Sequence, residues 1–329
     1  MTENKELETY FKLMLAGGSI ALYNYVQEHS LLTDYKVGDT FSAKSFAEKF
    51  QFKLCPAEVF LNSLIALGLL EKKGDIYGIS PVMELLKGNY KNLSAEYWAH
   101  LPTLLKTGTP FKRMDAVVDS EKEYQVQVKS LEWMMTPCAE LMVEMIAKTR
   151  PDLLTKKDLK VLDVGAGSGV WGFNFLYKNK NAHATLADWP AVLVVAKETA
   201  SRKNIIDRVK TIEGNFHEST WPENAFNFAT LGNVTHILTA EANKTLFKKI
   251  YKSMQPGGEL IILDAYGEVS EGELARALYQ MGLTIRTIQG RVFMPEELKP
   301  WLMEAGFKTF EFHSLDVIPH SMGMLIAKK

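Results

Sequence analysis

The sequence predicts an α/β protein in which a doubly wound, mainly parallel sheet follows a smaller, mostly helical N-terminal domain. Three observations carry that prediction. From Lys160 onward, short aliphatic runs alternate with helix-period segments, the pattern of strands joined by crossover helices. The stretch Val161-Leu162-Asp163-Val164-Gly165-Ala166-Gly167-Ser168-Gly169 runs apolar and then leaves through three alternate glycines. It reads as a buried strand turning sharply into a helix. Before residue 100, by contrast, the pattern is helices and one short hairpin.

Taken in order, residues 6–29 carry Leu7, Tyr10, Phe11, Met14 and Leu15 at helical spacing, with Gly17-Gly18 as a break or a close helix contact. Thr40-Phe41-Ser42 precedes a short helix, Ala43 to Phe50, capped by serine. Cys55-Pro56 opens a second helix that runs to about Leu67. Glu71 to Ile79 is a hairpin with a Lys-Gly-Asp tip. Helix, helix, helix, hairpin is the winged-helix pattern. The helix that would enter a DNA groove carries Val59, Phe60, Leu61, Leu64, Ile65 and Leu67, with few basic side chains. Groove-reading helices expose polar and basic groups, so a buried role, against another subunit, is expected instead.

Residues 89–150 are rich in helix pattern and aromatics, with a polar interruption at Asp119 to Lys122. Strands are then expected at Lys160 to Val164, Ala184 to Asp188, Val209 to Glu213, Phe226 to Leu231 and Glu259 to Asp264. Helices are expected at Gly169 to Lys178, Ala191 to Lys203, Ala242 to Met254 and Pro295 to Ala305. Phe307 to Leu315 and Ser321 to Lys328 form a terminal strand pair around Ile318-Pro319-His320. The expected domains are residues 1–100, a linker of helices over 101–150, and 151–329.

Composition narrows the class. The chain has 329 residues, 47% hydrophobic and 23% charged, enough for two cores. A net charge of -1 lacks the basic footprint of nucleic-acid binding. Cys55 and Cys138 have no metal-ligand spacing, so neither a metal nor a disulfide framework is expected. The polar N-terminus and the absence of a long apolar run predict a cytoplasmic protein with no membrane span.

The glycine turn is the first chemical signal, because glycines let a ligand approach the backbone and the following helix offers free N–H groups. A dinucleotide fingerprint would place its third glycine where Val170 stands, and no phosphate-loop lysine motif is present. Asp188 ends the second strand, within the roughly 20-residue interval of an acidic residue that holds a ribose. Gly214-Asn215-Phe216 follows the third strand, where an amide can pair with a base edge and a ring can cover it. All three segments lie at the carboxyl ends of strands, where open α/β sheets bind ligands. His217, beside this turn, is placed to reach the same cleft, and His100 to line a pocket from the N-terminal side.

These segments are D-V-G-A-G-S-G at Asp163–Gly169, A-D-W-P at Ala187–Pro190, G-N-F at Gly214–Phe216 and Q-P-G-G-E-L-I-I-L-D at Gln255–Asp264. Together they resemble class I S-adenosylmethionine-dependent methyltransferases. The winged-helix-like N-terminus and R-V-F-M-P-E-E-L-K-P-W-L-M-E-A-G-F at Arg291–Phe307 narrow the resemblance to small-molecule O-methyltransferases with an N-terminal dimerisation domain. The resemblance implies S-adenosyl-L-methionine as cofactor, a small hydroxylated acceptor, aromatic or polyketide-like, and a homodimer. It implies that Asp163, Gly165, Gly167, Asp188, Trp189, Asn215, Phe216 and Gly232 bind the cofactor. Asn215 stands where the family usually has Asp. The family's H-D-W-x-D-E segment falls on His236 to Glu241, which keeps the histidine and not the Asp-Trp after it. Histidine titrates near neutrality and suits a base that takes a hydroxyl proton. Asp264 would orient it, and Val292 replaces a second acidic partner of some members. Phe111, Met114, Trp133 and Met134 are expected to line the acceptor pocket. Two alternatives remain open: methylation of carbon or nitrogen without a strong base, and a non-catalytic cofactor-binding or winged-helix regulator.

Overall fold

The computed structural model describes residues 4–86, 95–266, 272–318 and 321–329. The chain divides into two compact units, Met1–Tyr90 and Lys91–Lys329.

The smaller unit begins with α1 (Lys5–Glu28), capped by the Asn4 side chain on the Leu7 N–H. It continues through β1 (Thr40–Ser42), α2 (Ala43–Phe50), α3 (Leu54–Ala66), β2 (Leu70–Lys73), β3 (Ile76–Ile79) and α4 (Val82–Leu86). Ser42 caps α2 through a reciprocal pair with Ser45, as the serine signal predicts. The same Thr40–Ser42 segment also forms a strand, which lies on β3 in a three-stranded antiparallel sheet of order β1-β3-β2. Three residues are too few for a period-two signal, so only the cap was legible. Phe41, Phe46, Leu61, Leu64, Leu70 and Tyr77 form the core of this unit. Gly17 and Gly18 neither break α1 nor meet a neighbour within 4 Å of a notional Cβ. Only Val26 of α1 is buried.

The larger unit opens with α5 (Ala95–Ala99), α6 (Leu101–Thr107), α7 (Val117–Thr149) and α8 (Pro151–Leu154). The expected polar interruption at Asp119 to Lys122 does not occur, because α7 runs through it unbroken. Tyr90 and the first residues of that region, and Pro319 and His320 of the expected C-terminal turn, lie outside the described residues. The sheet is built from β4 (Lys160–Val164), β5 (His183–Asp188), β6 (Val209–Glu213), β7 (Phe226–Gly232), β8 (Met254–Ala265), β9 (Thr309–Ser314) and β10 (Met322–Lys328). Between them run α9 (Val170–Lys178), α10 (Pro190–Arg202), α11 (Ala240–Ser253), α12 (Gly272–Arg286) and α13 (Pro295–Ala305). α12 is the one long element without a sequence expectation, although Leu274, Leu278, Met281 and Ile285 fall at helical spacing along it.

The strand order is β6-β5-β4-β7-β8-β10-β9. β6 to β8 are parallel, and β10 runs antiparallel to both its neighbours. Successive side chains along the strands enter opposite cores, as a period of two requires. Val161, Ile261 and Leu263 pack with α7, α9 and α10 on one face, and Leu162, Leu260 and Ile262 with α11 and α13 on the other. Both faces are therefore covered, which explains the near-continuous apolar strands. The order reverses at β4, so its carboxyl end opens a crevice toward β7. No helix of the described residues is long and apolar enough to cross a membrane.

Phe228, fully buried, packs its ring 4.9 Å from that of Phe175. Phe228→Ala is expected to destabilise the protein by about 3–5 kcal/mol, through lost burial and a cavity that rigid strands cannot close. Urea unfolding of the two proteins measures it, and a loss under about 1 kcal/mol would show that the sheet centre relaxes.

Candidate active site

The crevice begins where β4 ends. Gly165, Gly167 and Gly169 have φ of +64°, +57° and +82°, values that L side chains rarely adopt. A Cβ on Gly165 would lie 2.5 Å from Val234, and one on Gly169 would lie 2.4 Å from the Phe173 ring. Glycine is required here by conformation and by space at once. Gly232, at the end of β7, is required by space alone, since its Cβ would meet Trp171 at 2.0 Å.

Asp163 does not reach the crevice. Its Oδ2 accepts from the Gly172 N–H at 2.9 Å and its Oδ1 from the Thr230 hydroxyl at 2.8 Å. The side chain is fully buried between β4, β7 and α9. Its expected role in touching a ligand gives way to one in holding the turn, because a charge so enclosed must turn to internal donors. Burial raises its carboxyl to about 7, despite both hydrogen bonds.

Asp188 ends β5 and accepts from two backbone groups, Gly167 N–H at 2.8 Å and Trp189 N–H at 2.7 Å. The first bond ties β5 to the glycine turn. Burial again dominates and raises this carboxyl to about 6. Across the crevice, Asn215 makes a local turn, its Oδ1 accepting from the His217 N–H at 3.0 Å. Lys249 pins that turn by donating to the Phe216 and Ser219 carbonyls, and lies 4.3 Å above the Trp221 ring. His217 lines the crevice, and its pKa is lowered, first by burial and then by the Lys249 charge. Its Nε2 and the Ser168 hydroxyl are buried without hydrogen-bond partners among the described residues. Two orphaned polar atoms in a glycine-lined cleft are what an absent polar ligand would leave behind.

The cleft spans about 970 Å³, part of it open to solvent. Gly165, Gly167, Asp188, Trp189, Asn215, Phe216 and Gly232 all line it. Its apolar wall comes from Tyr124, Val128, Leu131 and Met135 of α7, with Trp171, Ile237 and Leu238. The four α7 positions follow helical spacing and form a single stripe. Of the residues expected in the acceptor pocket, Trp133 lies about 200° around the helix from Leu131 and is 41% exposed. Met134 packs into the sheet core. Phe111 packs edge-on against Tyr97 and tilted against His100, and Met114 accepts a hydrogen bond from Gln127 through sulfur. None of these four lines the cleft, nor does His100, whose Nε2 is 2.9 Å from the Thr109 carbonyl. The helical phase of α7 decides the matter, and choosing Trp133 and Met134 by residue type missed it. Asn233, held at φ +58°, and Asp115 are further lining residues that carried no motif, and Ser168 lines the cleft from within the glycine segment, where it was given no role.

His236 and Asp264 are brought together. His236 sits in a short helical turn after β7, and its carbonyl accepts from the Arg291 N–H at 2.8 Å. Its Nδ1 lies 2.7 Å from Asp264 Oδ1, at the end of β8. Thr235 donates to the other oxygen at 2.5 Å, and the Ala265 N–H to the first at 2.8 Å. Burial alone would raise the Asp264 carboxyl, but His236 and these donors outweigh it and hold it below its ordinary value. A carboxylate only accepts, so Nδ1 carries a proton, and in the neutral imidazole Nε2 presents a lone pair. That lone pair faces Tyr279 of α12, whose hydroxyl lies 2.9 Å away. His236 is 4% exposed and stands behind the cleft wall, flanked by the lining residues Val234 and Ile237. The arrangement can draw a proton toward a buried imidazole beside a cleft shaped for a polar ligand. Among the described residues, no group of three or more His, Cys, Asp or Glu is placed to hold a metal ion.

Comparison with known proteins places this geometry. Residues 114–308 match the family model of the O-methyltransferase domain. The chain is 23% identical over 298 residues to the 3-hydroxy-5-methyl-1-naphthoate 3-O-methyltransferase of Streptomyces sahachiroi, covering 85% of this chain and 83% of that one. The fold is shared with a putative O-methyltransferase from Nostoc punctiforme, at a TM-score of 0.73, 20% identity, and coverage of 98% of this chain and 99% of that one. It is also shared with human N-acetylserotonin methyltransferase, solved in complex with SAM, at a TM-score of 0.68, 18% identity, and coverage of 100% and 98%.

Asp163 makes the site's stability depend on pH. Its folded pKa of about 7 exceeds the unfolded value of about 3.9, so the folded state binds the proton more tightly. That contribution is complete below about pH 4 and is lost as pH rises through about 7. In Asp163→Asn the group stays neutral. Melting curves from pH 5 to 8 are expected to show the variant gaining on the wild type as pH rises. A constant difference across that range would mean the carboxyl is ionised throughout.

Proposed function

Because the chain belongs to the O-methyltransferase family, we propose that it transfers a methyl group from S-adenosylmethionine to a hydroxyl of a small aromatic or polyketide-like molecule, with His236 as base. The observation that carries this reading is the His236–Asp264 pair, 2.7 Å apart and buried beside the glycine-lined cleft. The naphthoate methyltransferase of S. sahachiroi supports the acceptor class, since its named acceptor is a hydroxylated aromatic.

The residues of the cleft fit the cofactor. The glycine turn and the orphaned Ser168 hydroxyl would meet its methionine part, Asp188 its ribose, and Asn215, Phe216 and His217 its adenine. Asp188 keeps free lone pairs beyond the two backbone donors it already accepts from. When bound, the cofactor supplies a methyl group activated by a sulfonium charge. The rest falls to this chain. Leu131, Met135, Trp171, Ile237 and Leu238 give the acceptor an apolar wall and exclude water. His236 receives the acceptor's proton at Nε2, and the Asp264 carboxylate stabilises the imidazolium that results. Much of the rate comes from holding the acceptor oxygen in line.

We assign the smaller unit the winged-helix and dimerisation role and place the protein in the cytoplasm. Leu7, Tyr10, Phe11, Leu13, Met14 and Leu15 on α1 are all exposed, and an apolar face of that length favours a second copy of the chain. Residues 101–150 would act as the linker that supplies the acceptor wall, through the α7 stripe. A second reading, transfer to carbon or nitrogen, has one observation in its favour: His236 itself does not line the cleft.

A panel of phenols, naphthols and hydroxynaphthoates tests the main reading, with methylated product measured by mass spectrometry. His236→Ala is expected to lower kcat by about 10²–10⁴-fold, with the Kd for S-adenosylhomocysteine unchanged by calorimetry. Near-full turnover in that variant would favour the second reading, and no turnover of any panel member by the wild type would remove the first. Asp188→Ala is expected to weaken that same binding at least tenfold, by about 1.4 kcal/mol or more. For the assembly, Tyr10→Glu with Leu13→Glu should convert a two-chain species to one chain in analytical ultracentrifugation. A wild type that sediments as one chain at all concentrations would rule the dimer out.

A further inference from the structure

We propose that the Trp171 indole N–H is the specificity-determining donor of the acceptor site, and that it selects a hydroxylated aromatic bearing an uncharged carbonyl oxygen, such as an aryl ketone. The proposal rests on the methyl-transfer reading of the cleft and adds the class of acceptor to it. It starts from an unsatisfied donor. Trp171 lines the cleft and is 3% exposed, yet its Nε1 donates to no group of the described residues. Buried tryptophan N–H groups ordinarily find a partner. Unlike the Ser168 hydroxyl, this one is not fully enclosed, so an incoming atom can reach it. The acceptor wall to which it belongs is otherwise apolar, from Leu131, Met135, Ile237 and Leu238.

The glycine at the end of β7 keeps the donor clear. A Cβ on Gly232 would lie 2.0 Å from Nε1 and 2.4 Å from Cδ1, so the polar edge of the indole is the edge turned to that strand end. From there the chain runs through Asn233 and Val234, both lining the cleft, to His236. The cofactor's carboxylate has other donors. The Ser168 and Val170 N–H groups, at the start of α9, make no hydrogen bond among the described residues. A helix N-terminus favours an anion, which leaves the neutral indole N–H to the acceptor.

The chemistry of the donor sets its partner. An indole N–H donates and cannot accept, so it needs an oxygen with a lone pair. A second hydroxyl on the acceptor offers one, but its own proton would then face an apolar wall unpaired. A carbonyl brings no proton. Charge decides between a ketone and a carboxylate. Asp115 and Asp188 line the cleft, and among the described residues no Lys or Arg does. The Arg286 guanidinium lies over the ring of Tyr279, which does not line the cleft either. A carboxylate on the acceptor would be buried near like charge without a counter-ion.

Acetylnaphthols and ethylnaphthols matched in ring position test the proposal, since ethyl keeps the shape and lacks the oxygen. Trp171→Phe keeps a ring and lacks the N–H. The ratio of kcat/KM, acetyl over ethyl, should fall about tenfold from the wild type to this variant. The inherent difference in reactivity between the two compounds is common to both proteins and cancels. A second measurement needs no variant. In the wild type saturated with S-adenosylhomocysteine, one indole ¹⁵N–¹H signal of the six tryptophans should move downfield when the acetyl compound is added and stay in place with the ethyl compound. The matching hydroxynaphthoate should turn over more slowly than the acetyl compound. Equal ratios in the two proteins would overturn the proposal and leave methyl transfer standing. So would an indole signal that moves with S-adenosylhomocysteine alone and no further with the acetyl compound, or a hydroxynaphthoate that is the faster substrate. No turnover of any phenol or naphthol by the wild type would remove both readings.

Discussion

The whole site depends on how closely the ends of β4 and β7 approach each other. A Cβ on Gly232 would lie 2.0 Å from Trp171, and one on Gly165 would lie 2.5 Å from Val234. Neither clearance leaves room for any side chain. The approach is held by Asp163, which bonds α9 through Gly172 and β7 through Thr230. Strand order reverses at β4, so the helices after β4 and after β7 leave on opposite faces of the sheet and a crevice opens between them. Asp188 then closes one side by bonding the glycine turn from the neighbouring strand. Backbone geometry thus shapes the glycine-lined half of the cleft, and few side chains are needed to complete it.

The His236–Asp264 side of the site is built on the other principle, paired charge in a dry place. A buried carboxylate or imidazole alone would be costly to ionise. At Asp264 three donors, from Thr235, His236 and Ala265, together outweigh the burial. Asp163 and Asp188 have only two donors each, and burial wins at both. The same residue type therefore stays ionised in one place and inclines toward neutrality in the others. An ionised Asp264 is the one that can share a proton with an imidazole.

Much of this was legible in the sequence, and the misses have physical causes. The glycine turn, Asp188, the Asn215-Phe216 turn and His236 are local signals, each fixed by a strand end a few residues away. Asp264 was legible because it too ends a strand. Asp163 was assigned to the ligand because strand patterns do not tell which way a terminal carboxylate turns. The α7 wall was misread because residue type was weighed over helical phase: Tyr124, Val128, Leu131 and Met135 share a face from which Trp133 is turned away. Tyr279 was missed because nothing local marks it. It lies 43 positions from His236 in the chain, on a helix whose pattern raised no expectation.

Apart from Asp163, those misses lie on helices away from the strand ends, and the distribution follows from where local signals can sit. A cofactor with a fixed shape can be met by backbone turns, whose glycine and carboxylate requirements leave a mark in short stretches of sequence. An acceptor is met by side chains on helices that are far apart in the chain and come together only when the sheet is covered. The chain keeps the histidine of its family and lacks the Asp-Trp that follows it there. In this fold, α12 fills the space in front of His236 with Tyr279, and Arg286 of the same helix lies over that ring. One helix thus brings both the group on the base and the cation beside it.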